Sequence, residues 1–311
     1  MNSEFVDPIS IVIPVFNAAG SLAELARRID SVIDERSEVI FVDDASRDAS
    51  WQEIERLVVA RHSWKAIQLG RNSGQHAALL AGIRVASRPV VVTIDDDLQH
   101  PPEAIRQVVA ALTSEIDLVY GLTVEEEHGF LRSIASRIVK RIMAKVLGVG
   151  HAQSISAFRC FRRDLRDAFS EVHDPYVSID VLLSWASSRV TTVEVEMAKR
   201  ESGTSGYTFR RLVKHTFNMV TGYSAAPLRI VAYVGLLLGT LGLGSLTYVL
   251  ARFFLGESSV PGFTFLASLL SLVGGIQMIA IAVIGEYLGR VHFRTLGQPS
   301  YFVRRSIGGD E

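Results

Sequence analysis

Residues 90–103 read VVVTIDDDLQHPPE, a β-branched run that ends in three consecutive aspartates, Asp95, Asp96 and Asp97. A short apolar run with polar punctuation predicts a buried strand over 90–94, and the proline pair at 101–102 predicts a helix over 102–112. Adjacent carboxylates repel one another, and a turn that merely caps the next helix would need one aspartate and not three. Side chains alternate along an extended chain, so Asp95 and Asp97 point the same way. With Gln99 in reach as a neutral third ligand, they form an all-oxygen set for a hard cation, Mg²⁺ or Mn²⁺, completed by nucleotide phosphates.

The same pattern repeats on either side. Strands are expected at 9–16, 39–42, 66–69 and 118–120, with helices at 21–34, 51–62 and 75–86 between them. Short strands alternating with helical patterns predict an α/β, Rossmann-like domain with a mainly parallel sheet. Ligands of such sheets bind beyond the carboxyl ends of the strands. The residues there are Asn17, the pair Asp43 and Asp44, the run Gly70, Arg71 and Asn72, and the three aspartates. One carboxylate of Asp43 and Asp44 either accepts hydrogen bonds from a base or ribose, or Asp44 or Ser46 caps the helix that begins near Asp48. Arg71, just before a helix opening near Gly74, suits a diphosphate; a salt bridge to Asp43 or Asp44 is the plainer use.

Composition adds the second half of the architecture. The chain has 311 residues, 32 Lys+Arg and 33 Asp+Glu, so no basic excess points to nucleic acid. A single cysteine, Cys160, excludes an intrachain disulfide and a Cys-rich zinc site. The mean hydropathy is nonetheless positive, +0.26, despite 21% charged residues. The excess is local: 22 residues between Arg229 and Arg252 carry no charge, nor do 28 between Glu257 and Glu286. Each exceeds the roughly 20 residues that cross a bilayer as a helix, and two in succession argue against a buried core helix. The expected organisation is a cytoplasmic domain over 1–225, a transmembrane hairpin over 226–290 with spans at about 230–251 and 263–285, and a cytoplasmic tail over 291–311. No cationic segment followed by an apolar block opens the chain, so no cleaved leader is expected. Arg210, Arg211, Lys214 and Arg229 before the pair, and Arg290, Arg294, Arg304 and Arg305 after it, place both ends in the cytoplasm, at the inner membrane. Basic amphipathic helices near 130–147 and 208–222 suit the bilayer surface. Gly239, Gly242 and Gly244 permit close helix packing, within one hairpin or in a homo-oligomer.

At this point the residues resemble a family. SIVIPVFNAAGSL, FVDDASRDAS, LGRNSGQHAALLAGI and TIDDDLQHPPE, in this order, are similar to the inverting glycosyltransferases of family 2, whose fold is called GT-A. GFLRSIASRIVKRIMAKVLG, AKRESGTSGYTFRRL, AAPLRI and IGEYLGRVHFRTLGQPSYFV resemble its branch that moves a sugar from a nucleotide to a polyprenyl phosphate, nearest to the members that transfer formamidoarabinose to undecaprenyl phosphate. The resemblance implies that Pro14, Asn17, Asp43, Asp44, Arg71, Asp95 and Asp96 bind the nucleotide sugar, and that Asp95, Asp97 and Gln99 hold the divalent cation. It implies that Arg132, Ser136, Arg200 and Ser205 hold the lipid phosphate, with Asp97 and Arg132 carrying the catalysis. The implied partners are a nucleotide sugar, with a UDP-sugar favoured, a polyprenyl phosphate and the lipid bilayer.

The chain departs from the family's pattern at four places. Ala18 stands where an acid is usual after Asn17; Thr123 where an arginine often follows the fifth strand; Gln153 where relatives carry an acid; and Gly206 where a lysine is common. These changes imply either an altered specificity or a weakened enzyme, and the intact Asp95, Asp97 and Arg132 favour the first. A phosphate monoester is anionic at neutral pH and needs no general base, so the change at Gln153 leaves in-line displacement feasible. The rival readings are transfer to a different membrane lipid and a non-catalytic membrane partner of the same fold.

Overall fold

The computed structural model describes residues 7–123, 155–170, 172, 178–196, 226–255 and 262–308. Arg132, Ser136, Arg200 and Ser205 lie outside the described residues, as do Gln153, Gly206 and the segments expected as amphipathic helices near 130–147 and 208–222. The chain divides into two compact units, 1–206 together with 297–311, and 207–296.

In the first unit, β1 (Ile9–Val15), β2 (Glu38–Asp43), β3 (Trp64–Leu69) and β4 (Val90–Thr93) pair in parallel in the order β4-β1-β2-β3. β5 (Leu118–Thr123), β6 (Arg159–Arg162) and β7 (Val190–Val195) extend this sheet beyond β4 in the order β7-β5-β6. β6 runs antiparallel to both of its neighbours, and β5 and β7 are parallel. On the far side β8 (Val303–Ile307) pairs antiparallel with β3. The C-terminal tail expected from the sequence thus includes the eighth strand of the sheet.

The alternation along each strand sends successive residues to two cores. Ile11, Phe41, Trp64, Ala66 and Val92 meet α1 (Ala19–Asp30), α2 (Ser50–Val59) and α4 (Ile105–Ala110) on one face. Val12, Ile40, Val42, Ile67 and Leu69 meet α3 (Gln75–Val85) and α5 (Ile179–Ala186) on the other. A central sheet covered on both faces explains the near-continuous apolar runs of β1 and β2. Gly82 lets α3 approach the sheet: a Cβ there would stand 2.9 Å from Val42 Cγ2 and closer still to Val12 Cγ1.

The second unit contains α6 (Ala226–Phe254) and α7 (Phe263–Thr295). Both contain a window long and apolar enough to cross a membrane, Pro227–Ser245 and Leu272–His292, and neither window is buried. The core helix of a soluble protein would be covered; here Leu236, Leu237, Leu241 and Leu243 are exposed. The window in α7 lies further along the chain than the expected 263–285, because α7 continues without a break through Glu286 and Arg290, which pair with one another at 2.7 Å.

Candidate active site

The carboxyl ends of β1, β2, β3 and β4 lie side by side, and the loops that leave them are built from one another's side chains. Three non-glycine residues among those described have left-handed backbone, Asn17 (φ 54°), Ala45 (φ 56°) and Leu98 (φ 62°), and each sits in one of these loops. Such conformations cost free energy unless the surroundings impose them, and they cluster at functional sites. Here the surroundings are explicit. The Asn17 N–H donates to Ser46 Oγ at 2.9 Å, and its Oδ1 accepts the Arg47 N–H at 2.8 Å.

Asp95 and Asp96 turn apart, as alternation requires. Asp95 Oδ1 accepts a hydrogen bond from Gln75 Nε2 at 2.6 Å, whereas Asp96 Oδ2 accepts the Phe16 N–H at 3.1 Å. The Asp96 carbonyl accepts Ser21 Oγ at 2.6 Å, which ties the loop to α1. Asp97 is joined to Gln99, whose N–H and Nε2 donate to its Oδ1 and Oδ2 at 3.1 and 2.6 Å. Burial, reinforced by Asp97, raises the Asp95 carboxyl above its ordinary range, against the opposing pull of His100, Arg159 and Gln75. Burial and the two flanking aspartates raise Asp96 to about 6, against the Phe16 N–H. Burial lowers the His100 imidazole, whose Nδ1 accepts the Asp95 N–H at 3.3 Å.

Carboxylates that are hard to ionise together create a demand for positive charge. Among the described residues no three His, Cys, Asp or Glu side chains converge into a ready metal cage. The chemistry of Asp95, Asp97 and Gln99, oxygen donors without a nitrogen or sulfur ligand, suits a hard divalent cation that keeps waters or phosphate oxygens among its ligands and not a closed structural site.

The other expected residues separate into two kinds. Asn17 and Arg71 are exposed, and no ion pair joins Arg71 to Asp43 or Asp44. Pro14, Asp43 and Asp44 are buried. Asp43 accepts the Ser46 N–H and Gln68 Nε2, both at 3.1 Å. Asp44 accepts the N–H groups of Ser73 and Gly74 at 2.7 and 2.8 Å, so it fastens the turn that leads into α3 and does not cap the helix near Asp48. Burial raises the Asp44 carboxyl against those two donors. Both aspartates therefore shape the loops in which exposed Asn17 and Arg71 stand.

Sequence reasoning missed several residues around the acidic loop, among them His100, which accepts the Asp95 N–H. Gln75 begins α3 and holds Asp95. Arg159, opposite Thr93 on β6, is 2% exposed and donates to Asp180 Oδ1 on α5 at 2.6 Å. Tyr120 Oη reaches the same oxygen at 3.4 Å. Gln75 lies inside the quoted RNSGQH run and was legible there, whereas nothing near Asp180 in the sequence marks it as the partner of a residue 21 positions away.

The model of glycosyl transferase family 2 matches residues 10–169, which include β1 to β6 and the whole acidic loop. The chain belongs to glycosyl transferase family 2. The undecaprenyl-phosphate 4-deoxy-4-formamido-L-arabinose transferase of Klebsiella pneumoniae is 31% identical over 97% of this chain and 94% of its own length. The enzyme of the same name from Proteus mirabilis is 32% identical over 98% of this chain and 95% of its own length. Among solved structures, a mannosyltransferase from Pyrobaculum calidifontis in complex with GDP-Man and Mn²⁺ superposes with a TM-score of 0.52 at 16% identity, covering 94% of this chain and 88% of that one. Glucosyl-3-phosphoglycerate synthase from Mycobacterium tuberculosis, in complex with Mn²⁺, UDP and glucosyl-3-phosphoglycerate, gives 0.51 at 18% identity, covering 70% and 78%. These two likenesses establish the GT-A type of fold for this family 2 chain.

Proposed function

We propose that this family 2 protein is an inverting glycosyltransferase that moves a sugar from a nucleotide sugar, of the UDP class, to undecaprenyl phosphate, in the service of cell-envelope glycan or lipid modification. The observation that carries the reading is the near-full-length likeness to undecaprenyl-phosphate transferases, which spans the acidic loop and both apolar helices alike. Strands β1 to β7 precede the helical pair and β8 follows it, yet all belong to one sheet. A folded sheet stays on one side of a bilayer, so a chain that crosses at α6 returns at α7. The arginines at 229, 290, 304 and 305 support a cytoplasmic sheet.

In this reading Asp95, Asp97 and Gln99 hold a divalent cation, with the Mn²⁺ of the solved neighbours in support. When bound there, such a cation would supply positive charge opposite the departing nucleoside diphosphate. The chain's own residues do the rest by position. Asn17 and Arg71 hold the nucleotide where exposed donors meet the strand ends. Gln75 and His100 fix Asp95, and Phe16 with Ser21 fixes Asp96. Arg132, Ser136, Arg200 and Ser205 hold the lipid phosphate, which attacks the anomeric carbon directly because it is already an anion. The test is transfer of labelled sugar from nucleotide sugars to undecaprenyl phosphate by the full chain in membranes. Asp97→Ala and Arg132→Ala are each expected to lose transfer; wild-type transfer in both overturns the assignment.

A further inference from the structure

The strand that follows the helical pair begins beside the loop that leaves β3. β8 joins β3 with Gln68 opposite Arg305 and Leu69 opposite Val303, and a bulge falls between those two pairs. One step further, the Gly70 N–H donates to the Phe302 carbonyl at 2.8 Å. Asp43 of β2 is in turn opposite Gln68. Asp43, Gln68 and Arg305 thus form one row across three strands, and beyond the Leu69–Val303 pair the Gly70–Phe302 bond closes the ligand end of this edge.

The Phe302 ring lies so close over Gly70 that a Cβ at position 70 would stand 2.7 Å from Phe302 Cδ1. Phe302 is nevertheless 65% exposed. Its neighbour Tyr301 is spent on packing, with its hydroxyl 3.2 Å from Arg84 Nη1 on α3, so the edge strand is fastened by Tyr301 and leaves Phe302 facing outward. An exposed aromatic ring packed against a glycine, next to an exposed arginine at position 71, has the chemistry of a stacking platform for a planar heteroaromatic ring joined to phosphates.

We propose that Phe302 is a wall of the donor site and stacks on the base of the nucleotide, so that the segment returning from the helical pair completes the pocket begun by β1 to β3. The proposal deepens the reading of this protein as a nucleotide-sugar transferase and rests on it. It also accounts for Gly70: any larger residue would displace the ring.

The test is calorimetric binding of UDP and of GDP, each with Mn²⁺, to the full chain in detergent, with pyrophosphate and Mn²⁺ as the base-free probe. Phe302→Ala should weaken the better-bound nucleotide about ten-fold, the loss of one stacked base, and leave pyrophosphate within about two-fold. Phe302→Tyr should restore nucleotide binding. Because the ring is mostly exposed, the melting temperature should not move. Unchanged nucleotide affinity in Phe302→Ala sinks this inference alone, including the case where the variant binds lipid vesicles less well and the ring is a membrane contact. An equal loss for pyrophosphate also sinks it, since the ring would then act through the loop. A wild-type chain that binds neither nucleotide overturns the transferase reading as well.

Discussion

Replacing Asp180 by Asn tests the buried pair behind the acidic loop. The Arg159 side chain is 2% exposed and the Asp180 side chain 8% exposed, and they meet at 2.6 Å. With Asn, the guanidinium keeps a neutral acceptor in place of a charge, the Ala157 carbonyl at 3.4 Å from Nε, and little access to water. Removing one partner of a buried pair costs about 3–5 kcal/mol, and the remaining amide oxygen puts this variant at the lower end, about 3 kcal/mol. For a domain of this size that is a fall of roughly 6–12 °C in melting temperature. The readout is intrinsic fluorescence of the full chain in detergent. All three tryptophans, Trp51, Trp64 and Trp185, lie in the sheet-bearing unit, so the helical pair adds no tryptophan signal. The double variant Arg159→Met with Asp180→Leu removes both charges and should melt closer to wild type than Asp180→Asn does, since paired apolar replacements are often neutral. A melt of Asp180→Asn within about 2 °C of wild type refutes the reasoning, because the cost of an uncompensated buried cation is well above that.

Two further outcomes probe the frame of the site. Glu38, 1% exposed at the opposite end of the sheet, is pushed up by burial, but Lys65 at 2.8 Å, Ser10 at 2.6 Å and the Ser87 N–H outweigh it and hold its carboxyl below the ordinary 4.5. A depressed carboxyl contributes stability that is present above its unfolded value and is lost as pH falls through its folded value. Glu38→Gln should therefore cost more stability in urea melts at about pH 7 than at about pH 3.5, and an equal cost at both would exclude the assigned ionisation. Gly82→Ala sets helix propensity, worth about 1 kcal/mol in favour of alanine, against overpacking of about 1–3 kcal/mol. The Cβ would press on both Val12 and Val42, so overpacking wins and the variant should melt lower; a higher melting temperature would show that α3 can lift off the sheet.

What the sequence revealed follows from how local each cause is. The strands at 9–16, 39–42, 66–69 and 90–94 were legible because β-branched runs between turns fix a buried strand without outside help. The start of α1 was not: it opens at Ala19, two residues before the expected 21. Its first donors are capped from another loop, Ala18 N–H by Ser50 Oγ and Ala19 N–H by Asp48 Oδ2, and no nearby residue advertises this. The same holds for Asp44, which fastens the turn before a helix 30 residues away. β8 reads as a basic tail because VRRSI lacks the alternation of a half-buried strand; it exists because the exposed edge of β3 offers partners. β5 runs on through Gly121, where a side chain would strike the ring of Phe158, so the stretch 121–123 taken to follow the strand belongs to it.

The charges of the site can now be weighed against one another. Asp95, Asp96 and Asp97 stand together, and burial makes the first two reluctant to ionise. A protein that only needed to stabilise this loop has the means at hand, since Arg159 is close enough to pull the Asp95 carboxyl down. Instead the guanidinium is turned to Asp180 on α5, and its charge is spent there. Gln75 and Gln99, which do contact Asp95 and Asp97, are neutral amides that satisfy hydrogen bonds without cancelling charge. The arrangement keeps the strand end negative at a cost in stability. In the proposed reading a divalent cation offsets that cost, because ligands that bind the folded state stabilise it by mass action. In that reading Asp180 acts on the site at a distance, by holding the Arg159 charge away from the aspartates that the proposal gives to an exchangeable cation.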